Sequence, residues 1–340
     1  MVRVAVVGLG FMGKMHLGIY DALEGVEIAA ICDSVEENLT ISELSGGGNI
    51  ETSGKKIDLS AAAVFTDYYA LLAAGGFDFV DLCLPTHLHR EYTIAALEAG
   101  YDVFCEKPMA LNGADADAMA AAARASGRLL SVGQCLRFWP FYVEIKRIID
   151  SGMYGKVLSA ELARYSMTPG WSADNWILKG ELSGNAGYDL HIHDVDMVLN
   201  LFGRPDAVTS SGVKSVNGGF GHIATLYRYP DKTVTSVGNW ICTDSFGFNM
   251  RSLIVLERAV LELDVSKLDA FVVCPQEGER FMVELDEHDG YYFELQDFVE
   301  HVRSREPLEK VTPESAAESC KLTLLEIESA VQGKTIPVSF

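Results

Sequence analysis

Gly8-Leu9-Gly10-Phe11-Met12-Gly13, set between the apolar run Val2–Val7 and a helical stretch at about 14–23, decides the fold of this chain. A second apolar run, Val26–Cys32, ends in Asp33, twenty residues beyond Gly13. Each part has a mechanical job in a dinucleotide site. Gly8 allows the tight turn, Gly10 lets the backbone approach a pyrophosphate, and Gly13 lets helix and strand pack closely. The helix opening at Phe11 and Met12 offers N–H groups and the positive end of its dipole to the phosphates. Asp33 is placed to accept hydrogen bonds from the adenosine ribose hydroxyls. A Gly-rich surface turn needs no strand, helix, second strand and acid in register, and here all four are present.

Strand-like and helix-like segments go on alternating to about residue 134. Strands are expected at 64–66, 77–84, 103–105 and 129–133, with helices at 68–74, 88–99 and 113–126 between them. Such alternation predicts a doubly wound parallel sheet with helices on both faces. The polar stretch 42–60, with Gly46-Gly47-Gly48 at its centre, reads as a loop insertion. Past residue 150 the pattern changes to longer, partly alternating segments at 157–165, 222–229, 234–240, 251–256 and 259–265, which suggest an antiparallel sheet with one covered face. Helices are expected at about 188–201, 292–303 and 313–332. The reading is an α/β chain with a dinucleotide-binding domain over 1–125 and a second α/β domain over 126–340.

At 340 residues, 49% hydrophobic and 22% charged, the chain has the make-up of a globular protein of two domains. A net charge of −21 argues against nucleic acid or an anionic membrane as partner. Seven cysteines without a C-x-x-C pair fit a reducing compartment. With no signal-peptide pattern and no bilayer-length apolar stretch, a cytoplasmic protein is expected.

Ligands of open parallel sheets bind outside the carboxyl ends of the strands. That rule points to the glycine turn, to Pro85-Thr86-His87-Leu88-His89 after the fourth strand, and to Glu106-Lys107-Pro108 after the fifth. A lysine beside a cationic nicotinamide has its charged form disfavoured, which suits acid–base work; a solvated surface lysine is the rival reading. Further on, Asp189-Leu190-His191-Ile192-His193-Asp194-Val195-Asp196 would put Asp189 and His193 on one helix face, with Asp196 continuing it. A carboxylate beside an imidazole orients the ring and raises its basicity. A metal site is not expected, because His191 and His193 point to different faces and no cysteine joins them. Trp171, Trp176 and Asn175 either wall a sugar site or anchor the core. Arg137 reaches a substrate or holds the domain junction, and Tyr291 lines the pocket or is an ordinary buried tyrosine.

The glycine turn, Asp33, the Pro85–His89 loop, Glu106-Lys107-Pro108, Asp189-x-x-x-His193 and the segments 134–140 and 328–334 occur in one order that closely resembles the Gfo/Idh/MocA oxidoreductase family. The resemblance implies an N-terminal Rossmann domain and a C-terminal α/β domain with a large open antiparallel sheet that in relatives mediates dimers or tetramers. It also implies a cis peptide before Pro108. The cofactor residues it implies are Gly8, Gly10, Phe11, Met12, Gly13, Asp33, Pro85, Thr86, His89, Glu106 and Lys107. Carried over residue by residue, His193 takes the proton from a substrate hydroxyl, Lys107 hydrogen-bonds the same oxygen, and Asp189 orients substrate or His193. Relatives often have a glycine pair or triplet before this motif where this chain has Gly184-Asn185, so Asn185 either alters the turn or touches substrate.

Asp33 would repel a 2′-phosphate and Ser34-Val35-Glu36-Glu37 holds no arginine to receive one, so NAD is favoured over NADP. The implied activity is hydride transfer between the nicotinamide and a hydroxyl-bearing carbon of a polyol, sugar or sugar derivative, in a homodimer or homotetramer. The alternatives are a redox-neutral enzyme of lyase or glycosidase type with tightly held NAD, and a non-catalytic nucleotide-binding sensor or scaffold.

Overall fold

A computed structural model describes residues 1–40, 44, 56–170 and 172–340, so most of the expected insertion at 42–60 lies outside the described residues, as does Trp171. The chain divides into two compact units. One comprises Met1–Cys135, Gly170–Trp176 and Tyr291–Ala317, the other Leu136–Pro169, Ile177–Gly290 and Glu318–Phe340.

The first unit is built on β1 (Val2–Val7), β2 (Val26–Cys32), β3 (Ala63–Phe65), β4 (Phe79–Leu82), β5 (Asp102–Cys105) and β6 (Leu130–Val132). They form one sheet in the order β3-β2-β1-β4-β5-β6, with every pairing parallel. Helices α1 (Phe11–Ala22), α2 (Tyr68–Ala74), α3 (His89–Glu98) and α4 (Gly113–Ser126) alternate with them. All residues of β4 and β5 are buried, as strands covered on both faces must be. The two acids that break their apolar pattern are therefore buried and need partners. Asp102 accepts from the Leu129 N–H at 3.0 Å and from the Arg305 guanidinium, and Asp81 meets His16. Local signals set the helix ends: Asp67 caps α2 by accepting from the Ala70 N–H at 2.7 Å, and Gly127 closes α4 in the left-handed region.

The second unit holds α5 (Pro140–Ser151), β7 (Val157–Met167), α6 (Ile192–Phe202) and strands β8 (Ala207–Lys214), β9 (Phe220–Arg228), β10 (Thr233–Cys242), β11 (Phe248–Leu256), β12 (Ala259–Asp264), β13 (Phe271–Pro275), β14 (Phe281–Met282) and β15 (Ile336–Pro337). Its sheet runs β14-β13-β12-β11-β7-β10-β9-β8-β15. One register row, Ile254–Ala160–Val234–Tyr227–Val208, crosses five strands and is fully buried. The next row carries Leu253, Glu161, Thr235 and Leu226 on the opposite face, where both leucines are exposed.

The sheet departs from the sequence reading in one pairing. β7 and β10 run parallel, because a helix and two antiparallel strands intervene before β10 returns beside β7. Strands β8, β13, β14 and β15 escape a periodicity search because they are short or, like β8, rich in Ser and Gly. Among the described residues no helix is long and apolar enough to cross a membrane.

From Tyr291 onward, α7 (Gly290–Ser304) belongs to the first unit. Leu295, Phe298, Val299 and Val302 join its core, and the Phe298 ring lies edge-on to Phe79 and Phe104 at 5.2 and 5.5 Å. A late helix thus completes the core of the first sheet. Phe298→Ala should cost about 3–5 kcal/mol, read as a lower urea midpoint; an unchanged midpoint would show that α7 adds nothing to that core.

Candidate functional site

In the first unit the glycine turn has the packing its sequence demands. A Cβ on Gly13 would lie 1.9 Å from the Gly8 carbonyl oxygen, and one on Gly8, at φ +88°, would lie 2.4 Å from the Cys83 carbonyl oxygen. Gly10 differs: a Cβ there meets nothing within 4 Å. Gly10 therefore faces open space at the start of α1, whose first turn, with Phe11 and Met12, has neither a side-chain cap nor an acidic residue. An anion seated there would meet bare backbone N–H groups and the helix dipole.

Asp33 is already engaged. Its carboxylate accepts from the Leu9 N–H at 2.7 Å, the Val35 N–H at 2.8 Å and the Asn38 amide at 3.1 Å. These bonds fix its oxygens beside the turn and leave an acceptor site for a ribose hydroxyl, since a carboxylate offers about four. Asn38 was not singled out from the sequence; its position five residues after Asp33 is the only signal. Pro85 leads into a 3₁₀ turn, Thr86–Leu88. The Thr86 hydroxyl oxygen is buried with no hydrogen-bond partner among the described residues. An orphaned hydroxyl there and an open cradle at Gly10 both fit a dinucleotide. His89 is turned inward instead: its ring nitrogens lie 2.8 Å from the Pro108 carbonyl and 2.7 Å from that of Leu84. It ties the loop after β4 to the loop after β5.

Lys107 follows β5, and the Lys107–Pro108 peptide is cis. Its N–H donates to Glu106 Oε2 at 3.0 Å. The other carboxylate oxygen of Glu106 lies 3.3 Å from His16 Nε2, and His16 Nδ1 lies 2.8 Å from Asp81 Oδ2. The three residues, Glu106, His16 and Asp81, are 5%, 0% and 0% exposed. Burial is the largest single influence and works against a charge on the ring, but Asp81 and then Cys83 together overcome it, and the His16 pKa stands well above its ordinary value. Burial likewise opposes ionisation of Glu106, yet His16 and then Lys107 hold its carboxyl below the usual range. None of these partners could be paired from sequence, since they come from α1, β4 and the end of β5. Tyr291 opens the α7 stretch of this unit; its phenol is made less acidic by burial first, then by Cys135, Glu106 and Glu294.

In the second unit the Asp189–His193 segment is not the one continuous α-helix that the sequence led us to expect. Ala186–Leu190 is a π-helical turn, and α6 begins only at Ile192. Close backbone packing shapes it: Gly184 (φ +75°) sits against the Tyr188 ring, and a Cβ on Gly187 would lie 2.9 Å from that of Phe220. Asn185, at φ 61°, accepts from the Ala186 N–H at 2.8 Å and donates to the Leu178 carbonyl at 3.2 Å. Its amide builds the turn. Asp189 and His193 are both buried.

Asp196 does not continue their face. It takes a two-point ion pair from Arg137 at 2.7 and 2.8 Å and a 2.7 Å bond from Ser319. Arg137 is thus bound inside its own unit. Asp194 pairs with Arg164 at 3.0 Å, and His191 Nε2 lies 2.8 Å from Glu326. In this acid- and histidine-rich run His191, Asp194 and Asp196 are thus paired within the fold. Trp176 and Asn175 fall in the 3₁₀ segment Ala173–Leu178, where Asn175 is at φ 51°.

Residues 2–134 match the model of an oxidoreductase family with an NAD-binding Rossmann fold, and residues 142–259 match the GFO/IDH/MocA C-terminal domain. The chain is 32% identical over 220 residues to a D-glucoside 3-dehydrogenase of Escherichia coli, covering 63% of this chain and 56% of that protein. It is also 32% identical over 212 residues to a 2,7-anhydro-N-acetylneuraminate hydratase of Mediterraneibacter gnavus, covering 62% and 52%. The chain thus spans little more than half the length of these two relatives. A myo-inositol 2-dehydrogenase of Thermotoga maritima is 26% identical over 336 residues, 95% of this chain and 93% of that protein.

Arg137→Ala should destabilise the protein by about 3–5 kcal/mol, because Asp196 is left as a buried lone charge; denaturant unfolding reads it. The stability owed to His16 should be whole below about pH 6.5, its ordinary value, and should be lost as pH rises through its raised folded value. The gap in unfolding free energy between wild type and His16→Gln should therefore narrow on the alkaline side in a series from about pH 6 upward; a gap that widens there would reverse the assignment.

Proposed function

The chain belongs to the Gfo/Idh/MocA oxidoreductase family, and we propose on that footing that it is an NAD-dependent dehydrogenase or reductase. Its substrate is a polyol, sugar or sugar derivative, oxidised or reduced at a hydroxyl-bearing carbon. The observation that carries this reading is Lys107 at the carboxyl end of β5, two loops from an open glycine cradle, in a domain of the NAD-binding family. The D-glucoside and myo-inositol dehydrogenases among its relatives support the substrate class.

NAD, when bound, supplies the hydride acceptor or donor. Gly8, Gly10 and Gly13 shape the phosphate turn, and the amide groups of Phe11 and Met12 face the phosphates. Asp33 holds the ribose and disfavours a 2′-phosphate; the exposed Glu36 and Glu37 behind it add to that repulsion. Pro85 and Thr86 wall the cofactor from the neighbouring loop. His193 takes the proton from the substrate hydroxyl, Lys107 hydrogen-bonds the same oxygen, and Asp189 orients substrate or His193. The assembly is a homodimer or homotetramer, supported by the exposed row of Leu253 and Leu226 on the outer sheet face.

A second reading has one observation in its favour. The hydratase relative acts without a net redox change in its named reaction, so a redox-neutral cycle on retained NAD is the alternative.

Nicotinamide absorbance, followed with NAD and with NADP against inositols, aldoses and glycosides, tests both. The expected result is reduction of NAD by one member, with Lys107→Ala and His193→Ala each slowing turnover by about 10²–10⁴-fold. Full turnover by Lys107→Ala would overturn its role. Substrate consumed with no absorbance change would replace the dehydrogenase by the redox-neutral reading.

A further inference from the structure

His16 lies in the core of the first unit and has no part in the chemistry assigned above. Around it, α1 contributes His16 and Tyr20, β4 contributes Asp81, and Cys83 follows directly. The end of β5 contributes Cys105, Glu106 and Lys107, and α7 contributes Tyr291 and Glu294. His16, Glu106 and Glu294 place one ligand-type atom each within 4.8 Å of one another.

We propose that His16 is a positioning residue for Lys107: its ring bridges Asp81 and Glu106 and so fixes the carboxylate that receives the Lys107 N–H. Both ring nitrogens face carboxylate oxygens, at 2.8 and 3.3 Å. The Nδ1 approach is a hydrogen bond and the Nε2 approach an ion-pair distance without hydrogen-bond geometry, so the second contact needs the charged, doubly protonated ring. Two buried carboxylates facing one ring also need a positive charge between them, since an uncompensated buried charge is strongly unfavourable.

Glu106 has little room to settle elsewhere. A Cβ on Gly133 would lie 3.1–3.3 Å from three atoms of its carboxyl group. The carboxyl group is thus packed against the backbone just after β6 on one side and faces His16 at ion-pair distance on the other. With both oxygens placed, the Lys107 backbone is placed, and the side chain departs from a fixed origin. Cys83 Sγ lies 3.3 Å from His16 Nδ1, but burial and then Asp81 push its thiol up, so it adds no charge near neutrality. The Tyr20 phenol is held neutral in the same way, by burial and then Asp81.

The inference rests on the reading of Lys107 as the group that bonds the substrate oxygen, and its test separates the two. In full-length protein labelled with ¹⁵N-histidine, both ring nitrogens of His16 should resonate as imidazolium at neutral pH. His16→Gln should lower kcat by about 10–100-fold, the scale of a small misplacement at the reacting group. Its KM and Kd for NAD should stay within about threefold, because no binding contact is removed. The double variant His16→Gln/Glu106→Gln should regain thermal stability without regaining kcat, which separates lost position from lost fold.

A neutral His16 ring at pH 7 would overturn the proposal. So would a wild-type kcat in His16→Gln beside an inactive Lys107→Ala, a result that leaves the proposed function standing. Full turnover by Lys107→Ala would remove both together. One divalent metal ion per chain, kept through dialysis and lost in His16→Gln, would also overturn it, because a metal would then join the carboxylates.

Discussion

The first unit depends on a backbone-to-backbone contact with no room for a side chain. Gly13 in α1 lies so close to the Gly8 carbonyl that a single added carbon would overlap it, and Gly8 in turn lies against the Cys83 carbonyl. That approach locks the first helix onto the first and fourth strands at once. It also aims the helix's opening N–H groups to the side where Gly10 faces open space, and it brings His16, one turn further along α1, down onto Asp81. Phosphate cradle and buried ion cluster thus lie about one turn apart on one helix, so the same glycines place both.

The parts written as local pattern were legible in the sequence. The strand–turn–helix–strand–acid series, the alternation to residue 134 and the helix at 313–332 follow from periodicity and from Gly, Asn and Asp at element ends, and the structure has them. The cis peptide at Lys107–Pro108 came from the family resemblance alone. Pairings between distant segments were not legible. Arg137 and Asp196 are 59 residues apart and His16 and Asp81 are 65 apart, and nothing in a window of helical or strand length couples them. The same blindness made Asp196 look like an extension of the Asp189–His193 face, when a buried guanidinium had claimed it.

The π-turn escaped for a different reason. Spacing arguments assume 3.6 residues per turn, and the packing of Gly184 and Gly187 against aromatic neighbours sets the backbone where a regular helix would not fit. Such irregular turns inside helices recur at functional sites. In the acid-rich run, Asp194 and Asp196 of the regular helix pair with arginines, while Asp189 lies in the wide turn before it.

The return of α7 to the first sheet bears on how the chain comes off the ribosome. Six strands and four helices, all made within the first 135 residues, must wait for Phe298 and its neighbours before their core is closed. At about 5–20 residues per second, the delay from residue 135 to 298 is on the order of ten to thirty seconds. Through that interval the nascent first sheet exposes the aromatic surface of Phe79 and Phe104, while the whole of the other unit up to Gly290 is being made. A protein ordered this way closes the core of its first sheet only after most of the other unit has been made, and completes its two units almost together.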